Sequence, residues 1–258
     1  MKGIYTKSAI KNVVEPLKAI SSVFANDVHV VYENEPDAMF IGVTNQNKTI
    51  RSLFKLNVSD LIGEYGIPAT EIGIWDVKNF TDILGKYQSD IYTEDVTVDC
   101  DGKKMTITCG KERTEYYTTE LHLFDDIRFK QRNFKSGSLD KACGFRLEGA
   151  DLKKIITNIN VFSTQNQIEF VGKKGDDFVT VKISSDSGVF NRNELIIENV
   201  NVDFDFKMRF PKTDFKGLFL CNDYFDFNIY TGRKSVVEAL YSKNEYDMNF
   251  YFSPIDDG

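Results

Sequence analysis

Ser8-Ala9-Ile10-Lys11-Asn12-Val13-Val14-Glu15-Pro16-Leu17-Lys18-Ala19-Ile20 sets apolar side chains at Ile10, Val13, Val14, Leu17 and Ile20. The spacing i, i+3, i+4, i+7, i+10 gathers them on one face and predicts an α-helix over Thr6 to Ile20. The set returns 142 residues later as Leu152, Ile155, Ile156, Ile159 and Phe162, in a helix predicted over Ala150 to Phe162. A shorter helical pattern, Val77 to Leu84 with Phe80, Ile83 and Leu84, returns at an offset of 135 as Phe215, Leu218 and Phe219 within Lys212 to Leu220. A long helix and a short helix written twice in the same order indicate two copies of one structural unit. Pro16 falls inside the first helix, where it removes a backbone hydrogen bond and is expected to introduce a kink at a cost of about 3 kcal/mol.

Strand patterns fill the space around each helix pair. In the first half they are Val28 to Glu33, Ala38 to Val43, Ile50 to Leu56, Glu71 to Trp75, Val96 to Cys100, Lys104 to Cys109 and Thr114 to Thr118. In the second they are Phe145 to Leu147, Gln167 to Val171, Phe178 to Ser184, Leu195 to Asn199, Asp203 to Phe210, Tyr224 to Tyr230, Val236 to Tyr241 and Met248 to Phe252. Asp101-Gly102 and Lys174-Gly175 read as hairpin turns. The expected fold class is α+β, with two domains, each carrying two short helices on antiparallel sheets. The domains are expected at residues 1–120 and 141–258, with a connector at 121–140. That connector holds Leu123, Phe124, Ile127 and Phe129, which need a surface to dock on.

The composition, 41% hydrophobic and 13% aromatic over 258 residues, is that of a packed globular protein. No apolar run approaches the ~20 residues that span a bilayer, and the first residues lack a secretory pattern, so an intracellular location is expected. Cys100, Cys109, Cys143 and Cys221 lie far apart, and only His29 and His122 could join them, so no metal site is expected. Phosphate-binding loops, nucleophile elbows and metalloprotease helices are missing, and two histidines offer little for acid–base work. No catalytic residue and no cofactor is expected, and the chain is read as a non-enzyme.

The net charge of −7 argues against nucleic-acid binding until its distribution is considered. The four helical segments and their ends hold Lys7, Lys11, Lys18, Lys78, Lys86, Lys153, Lys154, Lys212 and Lys216 against Glu15, Asp82, Asp151 and Asp214. Nine cations against four anions leave a surplus of five, and the rest of the chain carries −12. Lys7, Lys11 and Lys18 fall within about 40° of one another around the first helix. Such stripes suit phosphates touched without base reading, while acidic faces elsewhere limit unspecific adhesion.

The duplicated layout and two local stretches resemble the DNA sliding clamps of the proliferating-cell-nuclear-antigen (PCNA) family. Ser8 to Ile20 is similar to that family's first helix, and Phe250-Tyr251-Phe252-Ser253-Pro254-Ile255-Asp256-Asp257 to its aromatic–small–Pro–acidic ending. The resemblance implies a processivity factor: a homotrimeric ring of two-domain protomers that encircles duplex DNA without sequence preference and tethers a polymerase. It also implies an ATP-dependent clamp loader, and helices lining the hole with the nine lysines facing DNA. A partner groove is implied at Leu123, Phe124, Ile127, Tyr251, Ser253 and Pro254, with Ile50 and Leu53 beside it. The subunit seam is expected between Tyr116 and Tyr117 of one protomer and Leu195 to Ile197 of the next. Pro16 and the Lys-, Arg- and Phe-rich connector depart from the family and fit a divergent viral clamp, such as those of bacteriophages, acting in the host cytoplasm (a eukaryotic clamp would act in the nucleus). The alternatives are a monomeric viral polymerase accessory factor of the same fold, or a β-rich viral structural protein that binds no DNA.

Overall fold

A computed structural model of the chain describes residues 2–24, 29–35, 38–44, 50–57, 72–74, 76–120, 139–161, 167–184, 193–219, 223–232, 235–242 and 246–255. The chain divides into two compact units, Met1–Gln131 with Ser242–Met248, and Arg132–Tyr241 with Asn249–Gly258. The first half runs β1 (Lys2–Tyr5), α1 (Lys7–Phe24), β2 (His29–Glu35), β3 (Ala38–Thr44), β4 (Ile50–Asn57), β5 (Ile72–Ile74), α2 (Val77–Gly85), β6 (Val96–Cys100), β7 (Lys104–Cys109) and β8 (Glu112–Tyr117). The second runs β9 (Asp140–Glu148), α3 (Gly149–Val161), β10 (Gln167–Gly172), β11 (Phe178–Ser184), β12 (Asn193–Glu198), β13 (Phe206–Pro211), α4 (Lys212–Phe219), β14 (Tyr224–Thr231), β15 (Val236–Ser242) and β16 (Tyr246–Phe252). Strand, helix, four strands, helix, three strands is thus written twice.

In the first unit β1, β6, β7 and β8 form an antiparallel sheet in that order, while β5, β2, β3 and β4 pair antiparallel in another run. Period-two alternation turns Val96, Val98 and Cys100 of β6, and Met105, Ile107 and Cys109 of β7, into the core. Helix α1 packs on α2, and both bury the predicted stripe: Ile10, Val13, Val14 and Leu17 from one, Phe80 and Leu84 from the other. The second unit repeats the scheme. Strands β12, β11, β10 and β13 form one antiparallel sheet, β9, β14 and β15 pair in that order, and α3 packs on α4. Phe170 anchors this core, its ring 5.5 Å from Phe215 and 6.0 Å from both Phe210 and Phe227. Aromatic contacts at these distances add to the stabilisation from area burial alone.

Three sequence expectations are corrected. β1 has no counterpart among the expected strands, because four residues are too few for a period; its register with β6 (Gly3 opposite Val98) holds it. Helix α1 continues through Pro16 to Phe24 instead of closing at Ile20, with Pro16 on its buried side. Strand β13 begins at Phe206, not Asp203, because the preceding acids serve the loop. The Asp205 carboxylate accepts from the Lys174 amide at 2.6 Å, and the Asp203 amide donates to the Ala142 carbonyl at 2.8 Å.

The two expected hairpins form, with the first turn shifted by one residue. Cys100 faces Met105, and the Asp101 amide donates to the Lys104 carbonyl, so Gly102-Lys103 is the turn. Asp101 fixes it from the side, accepting the amides of Lys103 and Lys104 at 2.9 and 2.8 Å. Gly102 (φ 92°) and Gly175 (φ 87°) occupy the left-handed region that disfavours a Cβ. Nothing lies within 4 Å of a Cβ built on Gly102, so a substitution meets backbone cost alone. Gly102→Ala is therefore expected to destabilise the protein by about 1–2 kcal/mol in urea unfolding. An unchanged midpoint would show that the turn relaxes to negative φ.

Candidate functional site

Helices α1, α2 and α3 place their lysines on the faces turned away from each core. On α1, Lys11 and Lys18 are exposed and Lys7 is half-exposed. Lys11 lies 3.7 Å from Glu15 one turn along, and Lys7 lies 3.6 Å from Asp90. On α2, Lys78 binds Asp82 at 2.7 Å, a hydrogen bond that holds the ammonium above its ordinary pKa. Helix α3 exposes Lys153 and Lys154, the latter 2.9 Å from Asp151. Lys212, at the start of α4, is half-buried; Lys216 lies on the same helix, its side chain outside the described residues. Among the described residues Lys18 and Lys153 enter no ion pair. Exposed pairs of the other kind are worth about 0.2–1 kcal/mol, weak enough for a phosphate to displace the carboxylate.

Lys86 is different from the other eight. It sits in the 3-10 turn after α2 and binds the Glu112 carboxylate of β8, with its ammonium also 2.9 Å from the Thr114 hydroxyl. Tyr92 donates to the other Glu112 oxygen at 2.7 Å, and the Tyr87 hydroxyl lies 2.9 Å from that of Thr114. Burial works against the Lys86 charge, but Glu112 and Tyr87 more than offset it and raise its pKa. Hydrogen bonds from Lys86 and Tyr92 in turn hold the Glu112 carboxyl below its usual value. Lys86 thus ties α2 to an edge strand, where the charge count alone groups it with the exposed lysines.

The sheets end at β1, β8, β12, β13, β5 and β9. Four of these ends are short or partly covered. β1 has four residues, and Thr119 donates to Gly73 of β5 at 2.8 Å. Asp203 donates to Ala142 of β9, and Ile255 to Arg209 of β13, both at 2.8 Å. Among the described residues nothing covers β8 and β12, six residues each, with the same alternation of buried and exposed positions. Of the expected seam residues, Tyr116 and Ile197 point inward and are buried, Tyr116 with its ring 5.2 Å from Phe80. The outward apolar residues are Tyr117, 72% exposed, and Ile196, 56% exposed; Leu195 is half-buried. The sequence carries the signal: in Leu195-Ile196-Ile197, as in Tyr116-Tyr117, any strand must turn one apolar residue outward.

Two further exposed apolar residues, missed in the sequence, flank these edges. Ile91 precedes Tyr92, which holds Glu112 at the start of β8. Val161 ends α3 one turn after Asn158, whose amide donates to Asn193 of β12 at 2.6 Å. Each open edge therefore lies beside an unburied aliphatic side chain.

The implied partner-groove residues are scattered in character. Leu123, Phe124 and Ile127 lie outside the described residues. Ile50 and Leu53 are core residues of the first unit. Tyr251 is half-buried on β16, its phenol pushed up by burial and by the Glu238 charge. Glu238 also accepts from Asn228 at 2.9 Å and Tyr230 at 3.3 Å. Ser253 is exposed and Pro254 half-buried. Among the described residues no cluster of His, Cys, Asp and Glu has the makings of a metal site, and no helix is long and apolar enough to cross a membrane. Cys100, Cys109 and Cys143 are buried, and desolvation lifts the Cys143 thiol to about 12.

No protein-family model matches the sequence, and no curated protein matches it. Solved structures do match in fold, along essentially the whole chain. A. fulgidus PCNA, solved with the C-terminal region of FEN-1 bound, superposes with a TM-score of 0.69 at 12% identity over 100% of this chain and 99% of that one. PCNA from Thermococcus kodakaraensis gives 0.69 at 10% identity over 98% and 99%. A PCNA2–PCNA3 complex from Sulfolobus tokodaii gives 0.67 at 11% identity over 98% and 99%. The chain has the PCNA-like sliding-clamp fold.

The Lys86–Glu112 pair makes the stability of the first unit sensitive to acid. A carboxyl whose folded pKa is depressed contributes stability above its unfolded value and loses it as pH falls through the folded one. Thermal stability is therefore expected to fall from pH 7 through the ordinary glutamate range near about 4.3, and Glu112→Gln to show a smaller fall. Equal falls in both proteins would remove Glu112 from the account.

Proposed function

We propose that this protein is a sliding clamp: a ring of three copies that encircles duplex DNA, holds it without reading sequence, and tethers a DNA polymerase. One observation carries the reading. Both long open edges, β8 and β12, present an outward apolar residue and lie on different units, so copies can join head to tail without using up either edge twice. Heterologous contacts of this kind close into rings when the rotation permits. The fold shared with PCNA structures makes a closed ring the expected outcome. In such a ring the exposed lysines of α1, α2 and α3 face the DNA, and an ATP-dependent loader opens the ring. The clamp does no chemistry of its own.

The partner site is proposed on the connector residues Leu123, Phe124 and Ile127 with the tail residues Tyr251, Ser253 and Pro254. A polymerase peptide would set an apolar anchor there, and anchors of this kind dominate small interfaces. Ile127→Ala, or removal of residues 253–258, is expected to abolish polymerase stimulation while the assembled mass is unchanged. Stimulation retained in both variants would place the partner elsewhere.

Tyr117→Glu with Ile196→Glu replaces the outward apolar residues of the proposed seam with carboxylates among its acidic side chains and is expected to give single chains by light scattering. Unchanged assembly would show that the seam lies on other strands. Lys18→Ala with Lys153→Ala is expected to flatten the salt dependence of DNA binding by a slope of roughly two for each copy that contacts the DNA. Lys86→Met is expected to lower the melting temperature and leave that slope alone. A slope reduced by Lys86→Met and not by the double substitution would contradict the assignment of the DNA-facing lysines.

A further inference from the structure

The two open edges also contain enough charge to choose how they meet. We infer that β8 and β12 of neighbouring copies pair antiparallel in a single register, with Arg113 opposite Glu198, Glu115 opposite Ile196 and Tyr117 opposite Glu194. This rests on the ring reading above and adds to it the residues that set the alignment.

Faces fix the choice to steps of two. Arg113, Glu115 and Tyr117 are the exposed positions of β8, and Glu194, Ile196 and Glu198 those of β12. Residues directly opposite in a sheet share a face, so a one-residue slip would put the buried Tyr116 and Ile197 on the solvent side. The backbone of β8 agrees. Lys104 faces Tyr117, and the Thr118 amide donates to the Lys103 carbonyl at 2.9 Å. Alternation then turns the amides and carbonyls of Thr114 and Tyr116 toward β7, and those of Arg113, Glu115 and Tyr117 toward the open edge. Every strand pairing described in either unit is antiparallel, and the same sense is taken here.

Charge then separates the three alignments that keep the strands overlapped. Slipping β12 two residues one way sets Glu115 opposite Glu194. Slipping it two residues the other way sets Glu115 opposite Glu198. Like charges directly opposite destabilise a sheet, whereas opposite charges and aromatic–aliphatic neighbours stabilise it. The middle alignment has no facing carboxylates and gives Arg113 a carboxylate partner in Glu198. It places Tyr117 diagonal to Ile196, covering the two exposed apolar side chains with one another. On the inner face it sets Tyr116 opposite Leu195 and Thr114 opposite Ile197. It pairs five residues of β8, Arg113 to Tyr117, with Glu194 to Glu198 of β12.

Sedimentation over a dilution series of the full chain tests the register, using Arg113→Glu, Glu198→Arg and the two together. Each single change is expected to weaken assembly by roughly tenfold, and the pair to recover to within about threefold of the parent. Arg113 also meets Glu115 of its own chain at 2.7 Å. Reversal leaves that contact broken in the double variant too, so recovery there reports the partner across the seam. Stronger assembly with Glu198→Arg alone would mean that Glu198 faces Glu115, overturning this register and leaving the ring intact. No loss with Arg113→Glu, or no recovery in the pair, would overturn it likewise. A parent chain that stays single at every concentration would remove the ring reading itself.

Discussion

An open strand edge is a row of unmet amides and carbonyls, and the proposed assembly rests on the two that the described strands leave. Proteins that remain single chains blunt such edges with short strands, covering loops or bulges. Here the ends at β1, β5, β9 and β13 are treated in that way, while β8 and β12 are left six residues long with an apolar side chain outward on each. The inner side of β8 is braced by Glu112 and Thr114 against Lys86 and Tyr87, and β12 is held at its start by Asn158. An edge meant to receive a partner has to be held straight before the partner arrives, because ordering it on contact would cost conformational entropy.

The charges follow the same division of labour. On the outer faces of the helices Lys11, Lys78 and Lys154 sit in exposed ion pairs one turn away, Lys7 meets Asp90, and Lys18 and Lys153 enter none among the described residues. Such cations exchange carboxylate for phosphate at little cost, which suits the DNA-facing role proposed for them. In the proposed clamp the acidic remainder would keep the other faces from competing for nucleic acid. Lys86 shows why a charge census overcounts: it belongs to the same run of sequence but is committed to the edge strand.

Much of the fold was legible in the sequence because helix and strand periods are local. Ile10, Val13, Val14 and Leu17 are buried as their spacing required, and the repeat at Leu152, Ile155 and Ile159 is buried likewise. What escaped was set by tertiary context. The four residues of β1 carry no period, and Asp203 and Asp205 look like strand residues until their loop hydrogen bonds are seen. At the candidate site, adjacency was legible and direction was not. Tyr116-Tyr117 and Leu195-Ile196-Ile197 announce an outward apolar residue, but only the register with β7 and β11 decides that it is Tyr117 and Ile196. Ile91, alone in a polar loop, and Val161, at a helix end, acquire meaning only from what they stand beside.

Three copies are proposed to close on themselves through β8 and β12, and the mass of the native protein in solution tests this most directly. Sedimentation equilibrium of the unsubstituted chain is expected to give three times the single-chain mass of 29.5 kDa, without growth toward larger species as concentration rises. A mass that remains that of one chain across the same range would contradict the ring, and with it the role given to the two open edges.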